Sequence, residues 1–133
     1  MKHLLLLVLA SLISFSASAN QPLISPNELE SKLQNPNLRV LDIRDPKSYA
    51  ENHIPGSLSA PYGKWRGPKE NPGEFPPLPK LTELVQSLGL GPQNHIVVAS
   101  SGADETDFGA AARVYWTLKV LGLENLSILN GGI

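Results

Sequence analysis

The sequence predicts a single α/β domain built on a mainly parallel sheet of about four or five strands, with helices on both faces. Three observations carry that expectation. Strand-like apolar runs and helix-periodic stretches alternate from Leu23 to Leu129. The apolar run Ile96-Val97-Val98-Ala99 ends in a loop of small residues, Ser100-Ser101-Gly102-Ala103. A long helical pattern then opens at about Asp104, and strand, tight loop and helix in that order build a site at the carboxyl end of a parallel strand.

The elements follow in order. Pro22 to Ile24 makes a short first strand. Ser25-Pro26-Asn27-Glu28 starts a helix, with Ser25 as cap, Pro26 at the first helical position and Glu28 closing a capping box. Leu29 and Leu33 share one face, and Asn35-Pro36-Asn37 ends the helix. Leu38 to Ile43 is a buried strand. Asp45 then caps a short helix that Pro46 opens and that runs through about Asn52. His53-Ile54-Pro55-Gly56-Ser57 is a turn leading into the extended piece Leu58-Ser59-Ala60.

Tyr62 to Pro77 holds four prolines and three glycines and reads as a loop. Its Lys64, Trp65, Arg66 and Lys69 read as a solvated surface loop; the alternative is a docking surface at Lys64, Trp65 and Arg66, because Trp and Arg anchor interfaces. Leu81, Leu84, Val85 and Leu88 have helical spacing, with Gly89 as the C-cap. Asn94 to Ala99 is the central strand. Phe108, Ala111, Ala112, Tyr115, Leu118 and Val120 or Leu121 form the expected apolar stripe of the main helix, which Gly122 ends. Leu126 to Leu129 is the last strand. The sequence stops at Ile133, directly after Gly131-Gly132. A doubly wound domain covers its last strand, so the expectation is a domain cut within its fold or just before a following segment.

Composition bounds the function. The 133 residues suffice for one domain with a real core. A net charge of −1 gives no electrostatic case for nucleic acid or an anionic membrane surface. Residues 1–19 read as a secretory signal peptide: a basic start at Lys2, an apolar run from Leu4 to Ile13, and Ala17-Ser18-Ala19 as a cleavage site before Asn20. The apolar run is too short for stable membrane insertion. The domain is therefore expected to span residues 20–133 and to be exported, with a periplasm as its destination. The chain has no cysteine, which removes thiolate catalysis, persulfide carriage and Cys-based metal sites. Neither a metal nor an organic cofactor is indicated.

Several motifs together resemble the rhodanese (sulfurtransferase) family. Leu41-Asp42-Ile43-Arg44, Tyr49 and His53-Ile54-Pro55-Gly56-Ser57 are similar to its early motif, a strand ending in Asp-x-Arg before a "GHIPGA"-like turn. Asn52 stands where Gly is usual and Ser57 where Ala is usual. The central strand with its loop and helix resembles the family's active-site unit. Leu121 to Leu126 and Leu129 to Gly132 are similar to its "LG…NV…L-D-G-G" ending. The resemblance covers Leu23 to Ile133 and implies a three-layer α/β/α fold, C-terminally truncated here.

What the resemblance implies about chemistry is mostly negative. The family's nucleophilic cysteine matches Ser100 or Ser101. Its anion-binding loop here looks longer and carries Asp104, Glu105 and Asp107, which complement a helix start and would repel thiosulfate. Asp42 and Arg44 are expected to hold the fold as an ion pair, and His53 to bond backbone within its turn. A serine nucleophile needs a base, and only His53 and His95 are on offer beyond residue 20.

The resemblance therefore implies a non-catalytic N-terminal domain of a tandem sulfurtransferase. A second rhodanese domain in cis beyond Ile133 would carry the cysteine, and a donor such as thiosulfate would be met only through it. The alternative is a free-standing inactive module that binds a protein or a small anion.

Overall fold

The computed structural model describes residues 20–133; the segment read as a signal peptide lies outside the described residues. Five parallel strands form one sheet: β1 (Leu23–Ile24), β2 (Leu38–Asp42), β3 (Leu58–Ser59), β4 (His95–Ala99) and β5 (Leu126–Leu129). Their order is β1-β5-β4-β2-β3. The register places Asp42 beside Ala99 and Leu41 beside both Val98 and Leu58. The carboxyl ends of β2 and β4 therefore lie side by side, and that edge carries the candidate site.

Alternation along β4 shows how the layers form. Ile96 and Val98 face a cluster that includes Leu81, Ala111, Val114 and Leu118. These come from α3 (Leu78–Ser87) and α4 (Glu105–Val120). Val97 and Ala99 face the opposite side with Val40, Ile24 and Leu129, where Leu29 of α1 (Pro26–Lys32) packs. A strand buried on both faces needs an unbroken apolar run, and every residue of β4 is buried. The fold is thus a three-layer α/β/α domain with a parallel sheet, as expected.

The caps follow the sequence closely. Ser25 Oγ accepts from the Glu28 amide at 3.2 Å. Asp45 caps α2 (Pro46–Glu51), accepting from the Ser48 amide at 2.9 Å and its hydroxyl at 2.8 Å. These contacts hold the Asp45 carboxyl below its ordinary range. The chain is tied down from its first described residue, because Asn20 bonds Asn125 and Lys32.

Two expectations need correction. The Tyr62–Pro77 stretch is not loop throughout, since Tyr62–Trp65 forms a 3-10 turn. The stripe of α4 is also placed differently. Ala111, Val114, Thr117 and Leu118 are buried, whereas Phe108, Val120 and Leu121 are exposed. Thr117 enters the core because its hydroxyl donates to the Arg113 carbonyl at 2.9 Å, which removes the cost of burying it.

His95 opens β4 and is buried, with Nε2 2.9 Å from Ser127 Oγ, which donates to the Gln21 carbonyl. Burial, and then the positive charge of Lys32, push its pKa below the ordinary value of 6.5. The unfolded chain binds a proton that the folded chain resists, so stability falls as pH drops through this range. Thermal melts between about pH 7.5 and about pH 5 should show that loss, and His95→Asn should flatten it.

Candidate functional site

The site is the loop between β4 and α4, at the carboxyl edge of the sheet. An anion cradle there depends on free amide hydrogens. In this chain three of those hydrogens are already engaged. Gly102 N–H donates to Asp107 Oδ2 at 2.6 Å. Ala103 N–H donates to Ser101 Oγ at 3.3 Å. Asp107 N–H donates to Asp104 Oδ1 at 2.9 Å, because Asp104 is the N-cap of α4. Burial opposes the charge on Asp107, but hydrogen bonds from the Ser100 hydroxyl, the Gly102 amide and Ser101 outweigh it and hold the carboxyl below its ordinary range. An ionised carboxylate therefore sits where an external anion would have to bind.

The backbone closes the same space. Gly102 and Gly132 both have positive φ, at 75° and 74°, a region that side chains disfavour. A Cβ on Gly102 would run into the Gly131 carbonyl, and one on Gly132 into the Gly102 backbone. The Gly131-Gly132 segment after β5 thus packs backbone to backbone on the loop, and the Ile133 amide donates to the Ser100 carbonyl at 2.9 Å.

Ser100 is buried and Ser101 half-buried. Neither hydroxyl bonds a histidine among the described residues. His95 lies at the opposite end of β4, about 16 Å from Ser100 at the ordinary rise of a strand. His53 is exposed, stacks on Tyr49 with ring centres 4.0 Å apart, and sets Nδ1 2.8 Å from the Tyr49 carbonyl. The geometry offers neither serine a base.

Asp42 and Arg44 do come together. Asp42 is fully buried at the end of β2, and Arg44 Nη2 lies 2.7 Å from its carboxylate, with Nε at 3.0 Å. The same Nη2 donates to the Asn52 carbonyl at 2.8 Å, which fastens the end of α2 to the strand. Hydrogen bonding to Asp42 raises the Arg44 pKa further, against a smaller opposing effect of burial. Gly56 takes φ 77° in the turn that follows. Ser57, which replaces the family's Ala, is buried, and its hydroxyl has no partner.

The alternative of a docking surface at Lys64, Trp65 and Arg66 needs correction at its centre. Trp65 is 0% exposed and donates from Nε1 to the Ala60 carbonyl at 3.1 Å. It is a core residue because the 3-10 turn points it inward, and only Lys64 and Arg66 remain available. Arg113 was missed in the sequence. Its guanidinium donates to the Gly73 carbonyl at 2.8 Å and lies over Phe75 and Trp116, clamping the loop to α4. No sequence periodicity marks that role.

Among the described residues no group of three His, Asp or Glu could hold a metal ion, and no helix is long and apolar enough to cross a membrane. What the fold and site define is a three-layer α/β/α domain whose β4–α4 loop has no thiol and holds a carboxylate against its amides. Residues 25–133 match the Rhodanese-like domain family, and the chain belongs to it.

Similar proteins include a thiosulfate sulfurtransferase of Azotobacter vinelandii, 36% identical over 117 residues, covering 86% of this chain and 42% of that protein. Another, from Pseudomonas aeruginosa, is 34% identical and covers 83% and 40%. A crystal structure of an Escherichia coli 3-mercaptopyruvate sulfotransferase shares the fold at 20% identity and TM-score 0.65, covering 86% of this chain and 42% of that one. The chain spans well under half the length of these relatives.

Proposed function

We propose that this chain is the non-catalytic N-terminal rhodanese-like domain of an exported, periplasmic sulfurtransferase. Its role is to buttress and shape the active site of a second rhodanese domain in the same polypeptide. The observation that carries the reading is the partly filled cradle: no cysteine follows β4, and Asp107, Ser101 and Asp104 hold the amides of Gly102, Ala103 and Asp107. The similar thiosulfate sulfurtransferases support it, since each is more than twice the length of the matched stretch. Cleavage before Asn20 would leave an N-terminus that the fold already anchors through Asn125 and Lys32.

Restoring a thiol alone should not restore chemistry. Sulfur loading requires a thiolate to attack the outer sulfur of thiosulfate, forming an S–S bond and releasing sulfite. The donor must first enter a space held by the Asp107 carboxylate. Ser100→Cys and Ser101→Cys variants are each expected to take up no sulfur from thiosulfate, read as persulfide by intact mass. Adding Asp107→Asn to either should permit slow loading. Efficient loading of a single Cys variant would show an open cradle and contradict the proposal.

A second reading, a binding module for a separate protein, draws on one specific feature: cations without carboxylate partners beside a groove that the β4–α4 loop does not line.

A further inference from the structure

A groove of about 650 Å³ runs between the 3-10 turn and α3. Lys64, Arg66 and Lys80 stand along it, and Pro76, Pro77 and Leu84 supply apolar wall. The only ion pair among the described residues is Asp42 with Arg44, so these three cations have no carboxylate partner. Arg66 is nonetheless placed: its Nε donates to the Pro72 carbonyl at 3.3 Å, and its guanidinium lies 5.3 Å from the Tyr62 ring centre. The turn beneath is fixed, because Trp65 is buried and bonded to Ala60. One anionic group, Glu83, also lines the groove.

Size and shape narrow the occupant. A volume of this order suits a ligand far larger than a simple inorganic anion. Lys80, Leu84 and Ser87 fall on one face of α3, and the span from Lys80 to Ser87 is about 10 Å at the helical rise. That is the length of about three residues of extended chain. Cations grouped around Lys64, Arg66 and Lys80, with apolar wall between, fit a strand that alternates acidic and apolar side chains.

We propose that this groove docks a short, extended, acidic segment of a partner protein, with carboxylates at Lys64, Arg66 and Lys80 and an apolar side chain against Leu84 and the prolines. The inference develops the second reading of the domain as a binding module and does not depend on a cis domain. The probe is a synthetic hexapeptide alternating Glu and Leu, blocked at both ends, titrated into the isotope-labelled chain and followed by amide shifts and calorimetry.

Saturable shifts at residues 63–68 and 77–87, weakening at least tenfold on Lys64→Ala/Arg66→Ala or on Lys80→Glu and unchanged by Lys47→Ala on α2, are expected. Unaltered melting of the variants shows that the loss is not unfolding. Equal binding of a Gln-Leu peptide, or no binding of the Glu-Leu peptide at millimolar concentration, overturns the proposal. Binding to this chain but not to a longer native protein would place the segment in cis and overturn the partner-protein source. The intact mass of the native protein decides the cis-domain reading separately.

Discussion

Trp65→Ala is expected to destabilise the domain by about 3–5 kcal/mol, the cost of emptying a fully buried aromatic site. Trp65 heads the fully buried side chains of this structure. It packs in the cluster that joins α3 and α4 to the sheet through Leu81, Val114 and Ile96. Its indole also satisfies the Ala60 carbonyl, so truncation leaves a cavity and an unpaired acceptor together. A fall in Tm on the order of 15 °C follows for a domain of this size. Arg66→Ala, one residue on, should cost no more than about 1 kcal/mol, because it removes a loop contact and one cation–π pair. Urea unfolding of the two variants checks the contrast. Equal small effects would mean that Trp65 is a surface anchor after all.

The second large effect is expected at Arg44. Removing its guanidinium leaves the Asp42 carboxylate fully buried and without its ion-pair partner, at about 3–5 kcal/mol. It also frees the Asn52 carbonyl that Arg44 holds at the end of α2. The pair acts as a unit, so the Asp42→Ala/Arg44→Ala double variant should cost well under the sum of the single changes. Replacement of both by apolar residues, Asp42→Leu with Arg44→Met, should recover much of the loss. Additive single effects, each below about 1 kcal/mol, would show a solvated pair with no hold on the fold.

Much of the architecture is legible in local chemistry. Ser25, Asp45 and Asp104 are side chains that accept from the amide three residues on, and each caps the helix that follows it. The apolar run at Ile96 to Ala99 marks a strand with no wet face, and β4 has none. The features that sequence hides are long-range. Trp65 lies in a stretch rich in proline and glycine, where no periodicity reports which way a side chain points, so its burial depends on packing from α3 and α4. Thr117 reads as polar, yet the Arg113 carbonyl satisfies it and the core accepts it. Phe108 and Val120 read as core, yet α4 turns them to solvent.

The candidate site divides in the same way. That the loop lacks a thiol and carries acidic residues is evident from Ser100 to Asp107 alone. That Asp107 reaches back to the Gly102 amide, and that Gly131 and Gly132 press on the loop from β5, depends on residues brought together by the sheet. Lys80 likewise joins Lys64 and Arg66 only because α3 folds against the turn.

The central claim is that this domain serves a catalytic partner carried on the same polypeptide. The intact mass of the native protein, purified from its own cells, tests that claim most directly. The account predicts a mass about twice that of this chain or more, with a second domain-sized segment bearing the cysteine. A mass matching residues 20–133 alone would contradict it.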